Sequence, residues 1–134
     1  MLLKINSRPL SESDKVAIKK EMAVIIGRVL FKLRKSYGIS GKKLAKEVGM
    51  SQQQISRYEN GINYITVDMI LGILYFLEVP VFEFFNIVTK EIKNSNYELF
   101  LIYEKVLTNN YISSNLLHKD AFFDVISDSS VKYY

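Results

Sequence analysis

Apolar residues recur at helical steps through most of the first hundred positions. Met22, Ile26, Val29 and Leu33 follow one another at three or four residues, and Ile25 and Leu30 widen the same stripe. This predicts a helix capped by Ser11 or Ser13 and running to about Ser36, either unbroken or interrupted near Gly27. Gly38 closes it, and residues 39–41 connect to the stretch GKKLAKEVGMSQQQISRYENG, residues 41–61. There Leu44, Ala45 and Val48 share one face of a short helix. Gly49 can turn left-handed without steric cost, and Ser51 caps a second short helix that buries Ile55 and Tyr58. Ile70, Ile73, Leu74 and Leu77 mark a further helix, capped by Thr66 and ended by Pro80, and residues 81–87 form a short segment rich in Phe. After a polar break at residues 94–96, Tyr97, Phe100, Leu101, Tyr103 and Leu107 predict one more amphipathic helix, ending at Asn109 and Asn110.

Two short helices packed across a tight turn make a helix-turn-helix. Gln52, Gln53, Ser56 and Arg57 fall at i, i+1, i+4 and i+5, on the side of the second helix opposite Ile55 and Tyr58. Their chemistry suits base edges, since Gln can pair bidentately with adenine and Arg with guanine. An ordinary helical hairpin would also carry a glycine between its helices. The small Ala45 at the close crossing, Gly49 in the turn, the Ser51 cap and the run of three glutamines together favour the DNA-binding alternative.

Charge sharpens this picture. The net charge is +4, yet residues 1–60 carry 13 Lys or Arg against 5 acids, and residues 61–134 carry 5 against 9. The basic half contains the helix-turn-helix, as expected where one part meets a polyanion and the other meets protein. At 134 residues, 49% of them apolar, the chain has room for one compact domain and an appendage. No cysteine is present, which excludes disulfides and thiolate metal sites and suits a reducing compartment. The first fifteen residues lack a signal-peptide layout, because Lys4 and Arg8 interrupt their apolar positions, and no apolar run approaches the ~18 residues of a membrane span. The expectation is a cytoplasmic protein with no membrane partner.

The stretch from residue 26 to residue 87 resembles the Cro/phage-repressor (XRE) family of helix-turn-helix domains. The resemblance implies an all-α fold: a five-helix lambda-repressor-like DNA-binding domain over residues 26–88, an N-terminal arm and helical extension over residues 1–25, and a C-terminal helix and tail over residues 89–134. The string SQQQISRYENG is similar to that of the regulators encoded in fimbrial operons of enteric bacteria, the MrpJ type, which control fimbrial genes and repress flagellar ones. The family further implies an ion pair between an arginine of the first helix and the glutamate ending the recognition helix, positions held here by Arg34 and Glu59. The alternative is that each is a solvated surface charge.

By the same resemblance, Gln52, Gln53, Ser56 and Arg57 face the major groove of double-stranded DNA, and Asn60 with nearby backbone amides meets phosphate. Lys42 and Lys43 add charge at the start of the preceding helix. The chain departs from the family at Gly41, where many relatives carry a phosphate-clamping glutamine, and in the apolar loop of residues 62–65. Both departures imply help from a homodimer or from basic residues upstream, Arg8, Lys15, Lys19 and Lys20. The C-terminal helix or the long first helix is the expected dimer interface.

An enzyme is not expected. His118 is the one histidine, no nucleophilic cysteine or phosphate-cradling glycine loop is present, and Asp120, Asp124 and Asp128 read as an acidic solvated face rather than a metal site. No cofactor or small-molecule effector is evident. The competing function is an antitoxin or adaptor, with a DNA-binding helix-turn-helix and a protein-binding region over residues 91–134.

Overall fold

A computed structural model describes residues 9–108. The fold is all-α, and among the described residues there is no strand. Six helices follow in order: α1 (Glu12–Ser36), α2 (Gly41–Glu47), α3 (Gln52–Glu59), α4 (Val67–Leu77), α5 (Val81–Ser95) and α6 (Tyr97–Leu107). The first five make the lambda-repressor-like bundle. The chain divides into two units after Ile102, so that α6 begins in the first and ends in the second. In the second unit, the described residues end at Thr108, whose amide and hydroxyl both donate to the Glu104 carbonyl.

α1 is one unbroken helix of 25 residues, about 37 Å long at 1.5 Å per residue. Its start is fixed by Ser11, whose hydroxyl accepts from the Asp14 amide while the Asp14 carboxylate accepts from the Ser11 amide. That reciprocal pair satisfies two of the otherwise orphaned N–H groups of a helix start. The buried face of α1 runs through Ile18, Ile25, Val29 and Leu30, whereas Met22, Ile26 and Leu33 sit half-buried at its margins. The expected stripe was therefore rotated slightly from the true one. Packing of α1 against both α3 and α5 explains the shift, because the two partners approach from different sides.

α4 buries the four predicted positions, Ile70, Ile73, Leu74 and Leu77. Thr66 precedes it as N-cap without donating or accepting a side-chain capping bond. The helix stops at Glu78, which takes the left-handed conformation (φ 57°), and Pro80 then precedes α5. Here the sequence expectation was too short. The Phe-rich segment is the first half of a 15-residue helix that buries Phe84, Val88 and Ile92 at steps of four, and the expected division after residue 88 falls inside it. Asn96 ends α5 and its side chain accepts from the Leu99 amide at 3.0 Å, opening α6.

The buried residues of α6 are Leu99 and Phe100. Phe100 was expected to serve a partner chain, but it is only 5% exposed within its own bundle, while Tyr97 and Leu101 point outward. Among the described residues no single helix is long and apolar enough to cross a membrane. α4 and α5 pass that test only as a pair bent by 109°.

Candidate nucleic-acid interface

The local chain between α2 and α3 folds as its residues dictate. Ser40 caps α2 by accepting from the Lys43 amide at 3.0 Å, and Leu44 and Ala45 are buried. The turn is closed by the Met50 amide donating to the Ala45 carbonyl at 2.8 Å, with Gly49 at φ +70°. Ser51 then forms a reciprocal cap with Gln54: the Gln54 amide donates to the Ser51 hydroxyl at 3.1 Å, and the Ser51 amide donates to Gln54 Oε1 at 3.0 Å. The three glutamines thus divide in role. Gln54 holds the helix start, and Gln52 and Gln53 remain exposed for other work.

α3 buries Ile55 and turns Gln52, Gln53, Ser56 and Arg57 to solvent, all four on one polar face. Arg57 donates from Nε and a terminal nitrogen to Asn63 Oδ1 at 3.3 and 3.2 Å, which aims the guanidinium while leaving other donors of its fork unused. Asn60, the C-cap of α3, donates to the Ser56 carbonyl at 2.8 Å and the Ser56 hydroxyl at 3.3 Å. Lys42 and Lys43 are exposed in the first turn of α2. Asn63 was not singled out from the sequence; its offset of six from Arg57, across the α3 C-terminus, follows no helical period that would have flagged it.

Behind this face lies the Arg34–Glu59 pair, and it is no surface pair. The side chains are 8% and 9% exposed, with Arg34 Nε 2.6 Å from Glu59 Oε1 and a terminal nitrogen 2.9 Å from Oε2. The other terminal nitrogen donates to the Ile39 carbonyl at 2.6 Å, and the guanidinium stands 5.3 Å from the centre of the Phe31 ring. The bonds from Arg34 to the Glu59 carboxylate raise the arginine pKa further, with burial opposing them, so the charge is locked in place. Solvated charges would have been free to move; these two tether the end of α3 to α1 and to the loop before α2.

Two glycines bring those elements together. A Cβ at Gly27 would collide with the Tyr58 carbonyl oxygen and stand 2.7 Å from that of Glu59. A Cβ at Gly61, already at φ +69°, would stand 2.6 Å from the Val24 Cα. Gly27 is therefore a close-approach position for α3 and not a helix break. An isolated glycine inside a helical pattern is a signal for such packing, but the sequence alone did not show which neighbour arrives there.

A family model described as "Helix-turn-helix" matches residues 30–84, from within α1 to within α5. The matched residues contain the whole of α2 and α3. Over 56 residues, 42% of its length, it is 43% identical to a protein of Methanocaldococcus jannaschii named as a candidate HTH-type transcriptional regulatory protein. The aligned part is 18% of that relative. The family match spans the helix-turn-helix and ends within α5. Among the described residues no group of three His, Cys, Asp or Glu side chains is placed to hold a metal ion. His118, Asp120, Asp124 and Asp128 lie outside the described residues.

Proposed function

We propose that the protein is a sequence-specific transcriptional regulator that works in the cytoplasm as a homodimer on double-stranded DNA. The observation that carries this is the polar face of α3, four exposed side chains suited to base edges on a helix whose end is anchored by a buried ion pair. Gln52, Gln53, Ser56 and Arg57 read the major groove, and Asn60, Lys42 and Lys43 contact phosphates. Its targets, on this reading, are fimbrial and flagellar genes of an enteric bacterium; the support is the similarity of SQQQISRYENG to the fimbrial-operon regulators.

Genome-wide mapping of bound DNA, followed by transcript measurement on deletion, tests the targets. Sites confined to other classes of operon would overturn the fimbrial assignment and leave the DNA-binding one standing. On a mapped operator, Gln53→Ala and Arg57→Ala should each lose about 1–3 kcal/mol of discrimination at one base position. If both variants bound the operator and its single-base variants as the wild type does, α3 would not be the reading helix.

A further inference from the structure

A groove of about 460 Å³ runs beside the reading face, lined by Arg28 and Phe31 of α1 and by Gln52, Ser56 and Asn60 of and after α3. Gly41 keeps one end open. A Cβ there would stand 3.8 Å from the Gln52 side chain and 3.9 Å from the Arg34 guanidinium, so a larger residue would start against both walls. Gln52 and Ser56 belong to the exposed face of α3, which means the groove shares its lip with the surface that enters the DNA.

That location decides what can reach it. A helix with side chains is about 10–12 Å across and fills a major groove about 12 Å wide, so the sugar–phosphate backbone lies along its flanks. The groove offers donors: the Arg28 guanidinium, the Gln52 amide and the Ser56 hydroxyl, which the Asn60 amide orients by donating to its oxygen. Its acid, Glu59, has both carboxylate oxygens engaged by Arg34. Phe31 is 42% exposed and presents an apolar ring of the kind a deoxyribose can pack against.

We propose that this groove seats a phosphodiester segment of the bound duplex, with Arg28 as its phosphate ligand, so that α1 is a third DNA-contacting element beside α2 and α3. This rests on the DNA-binding reading above. One terminal nitrogen of Arg28 is held by Glu91 Oε1 and the Ser95 hydroxyl, each at 3.2 Å, which positions the side chain and leaves its remaining donors for phosphate. Lys32 reaches the same Glu91 carboxylate at 3.2 Å but does not line the groove. It is therefore the internal control, a cation with the same fold partner and a different neighbourhood.

The experiment titrates the full chain against a mapped operator and an unrelated duplex over a range of salt, with thermal unfolding of each variant alongside. Arg28→Gln should weaken both duplexes by the same factor and reduce the slope of log K against log salt by about 0.9, one phosphate contact. Arg28→Lys should keep the slope, and Lys32→Gln should leave it at the wild-type value. A wild-type slope in Arg28→Gln, or an equal loss in Lys32→Gln, overturns the proposal. Inorganic phosphate at constant ionic strength should not compete; competition would make this a free-anion site and overturn the duplex assignment. Arg57→Ala separates the two readings, because loss of operator preference there tests α3 whatever Arg28 does.

Discussion

Arg34 makes three kinds of contact at once, a two-pronged bond to Glu59, a bond to the Ile39 carbonyl and a cation–π contact with Phe31. Removing one partner of so buried a pair leaves the other charge stranded, which costs about 3–5 kcal/mol. Arg34→Ala and Glu59→Ala should therefore each destabilise by that order in urea unfolding, and the double variant by well under the sum. Additivity would mean the two side chains do not share an interaction. Reversing the charges should fail to restore stability, since a glutamate at position 34 would set a carboxylate against the Ile39 carbonyl. Helix caps and the polar face of α3 were legible from the sequence, because Ser51, Ile55 and the glutamines act within one turn of where they stand. The burial of Arg34 was not. It depends on Phe31, Ile39 and Glu59 arriving from three segments, and only a family resemblance linked Arg34 to Glu59 in advance.

At the scale of elements, α1 is the piece that organises the rest. Replacing a helical glycine by alanine ordinarily gains up to about 1 kcal/mol in propensity. Gly27→Ala should do the opposite, because its methyl would meet backbone carbonyls of Tyr58 and Glu59 that cannot swing aside. A loss of about 1–3 kcal/mol is expected from such overpacking, together with weaker DNA binding as the end of α3 is displaced. A rise in melting temperature would show that the two helices have room between them. On its other side α1 meets α5 through Glu91, which bridges Arg28 and Lys32. Burial pushes the Glu91 carboxyl up, but the hydrogen bonds and charges of Lys32 and Arg28 together outweigh it and leave the pKa lowered. A carboxyl with a lowered folded pKa adds stability above its unfolded pKa and loses it as pH falls through the folded one. The stability advantage of the wild type over Glu91→Gln should accordingly be present at neutral pH and vanish below the ordinary carboxylate range, about pH 4. Because Arg28 and Lys32 are substantially exposed, that advantage should be under about 1 kcal/mol. An advantage unchanged in acid would mean Glu91 acts by packing. The α1–α5 contact also explains the misjudged length of α5. Its core positions continue to Ile92, past the polar run of Thr89, Lys90 and Glu91, of which Glu91 meets the basic side chains of α1.

For the whole molecule, the uneven charge and the size of the α3 polar face set the terms of the proposed DNA binding. Residues 1–60 hold 13 Lys or Arg against 5 acids, so the half of the chain that contains α2 and α3 is strongly basic while the remainder is acidic. On the proposed function, one α3 of eight residues would span only a short run of bases, and selection of an operator would call for a second copy on the same duplex. Phe100 lies inside its own bundle, so it is not part of the apolar surface available to join two copies. The prediction is that the full chain is a dimer by light scattering at micromolar concentration and binds two half-sites centred about one helical turn, 10–10.5 base pairs, apart. Inserting about five base pairs between the half-sites turns the second one to the opposite side of the duplex. Affinity should then fall toward that of a single half-site, and a further five should recover much of it if the connection between the copies can stretch. A monomer in solution whose binding ignored the spacing would show that one copy suffices, with its selectivity drawn from contacts beyond α3.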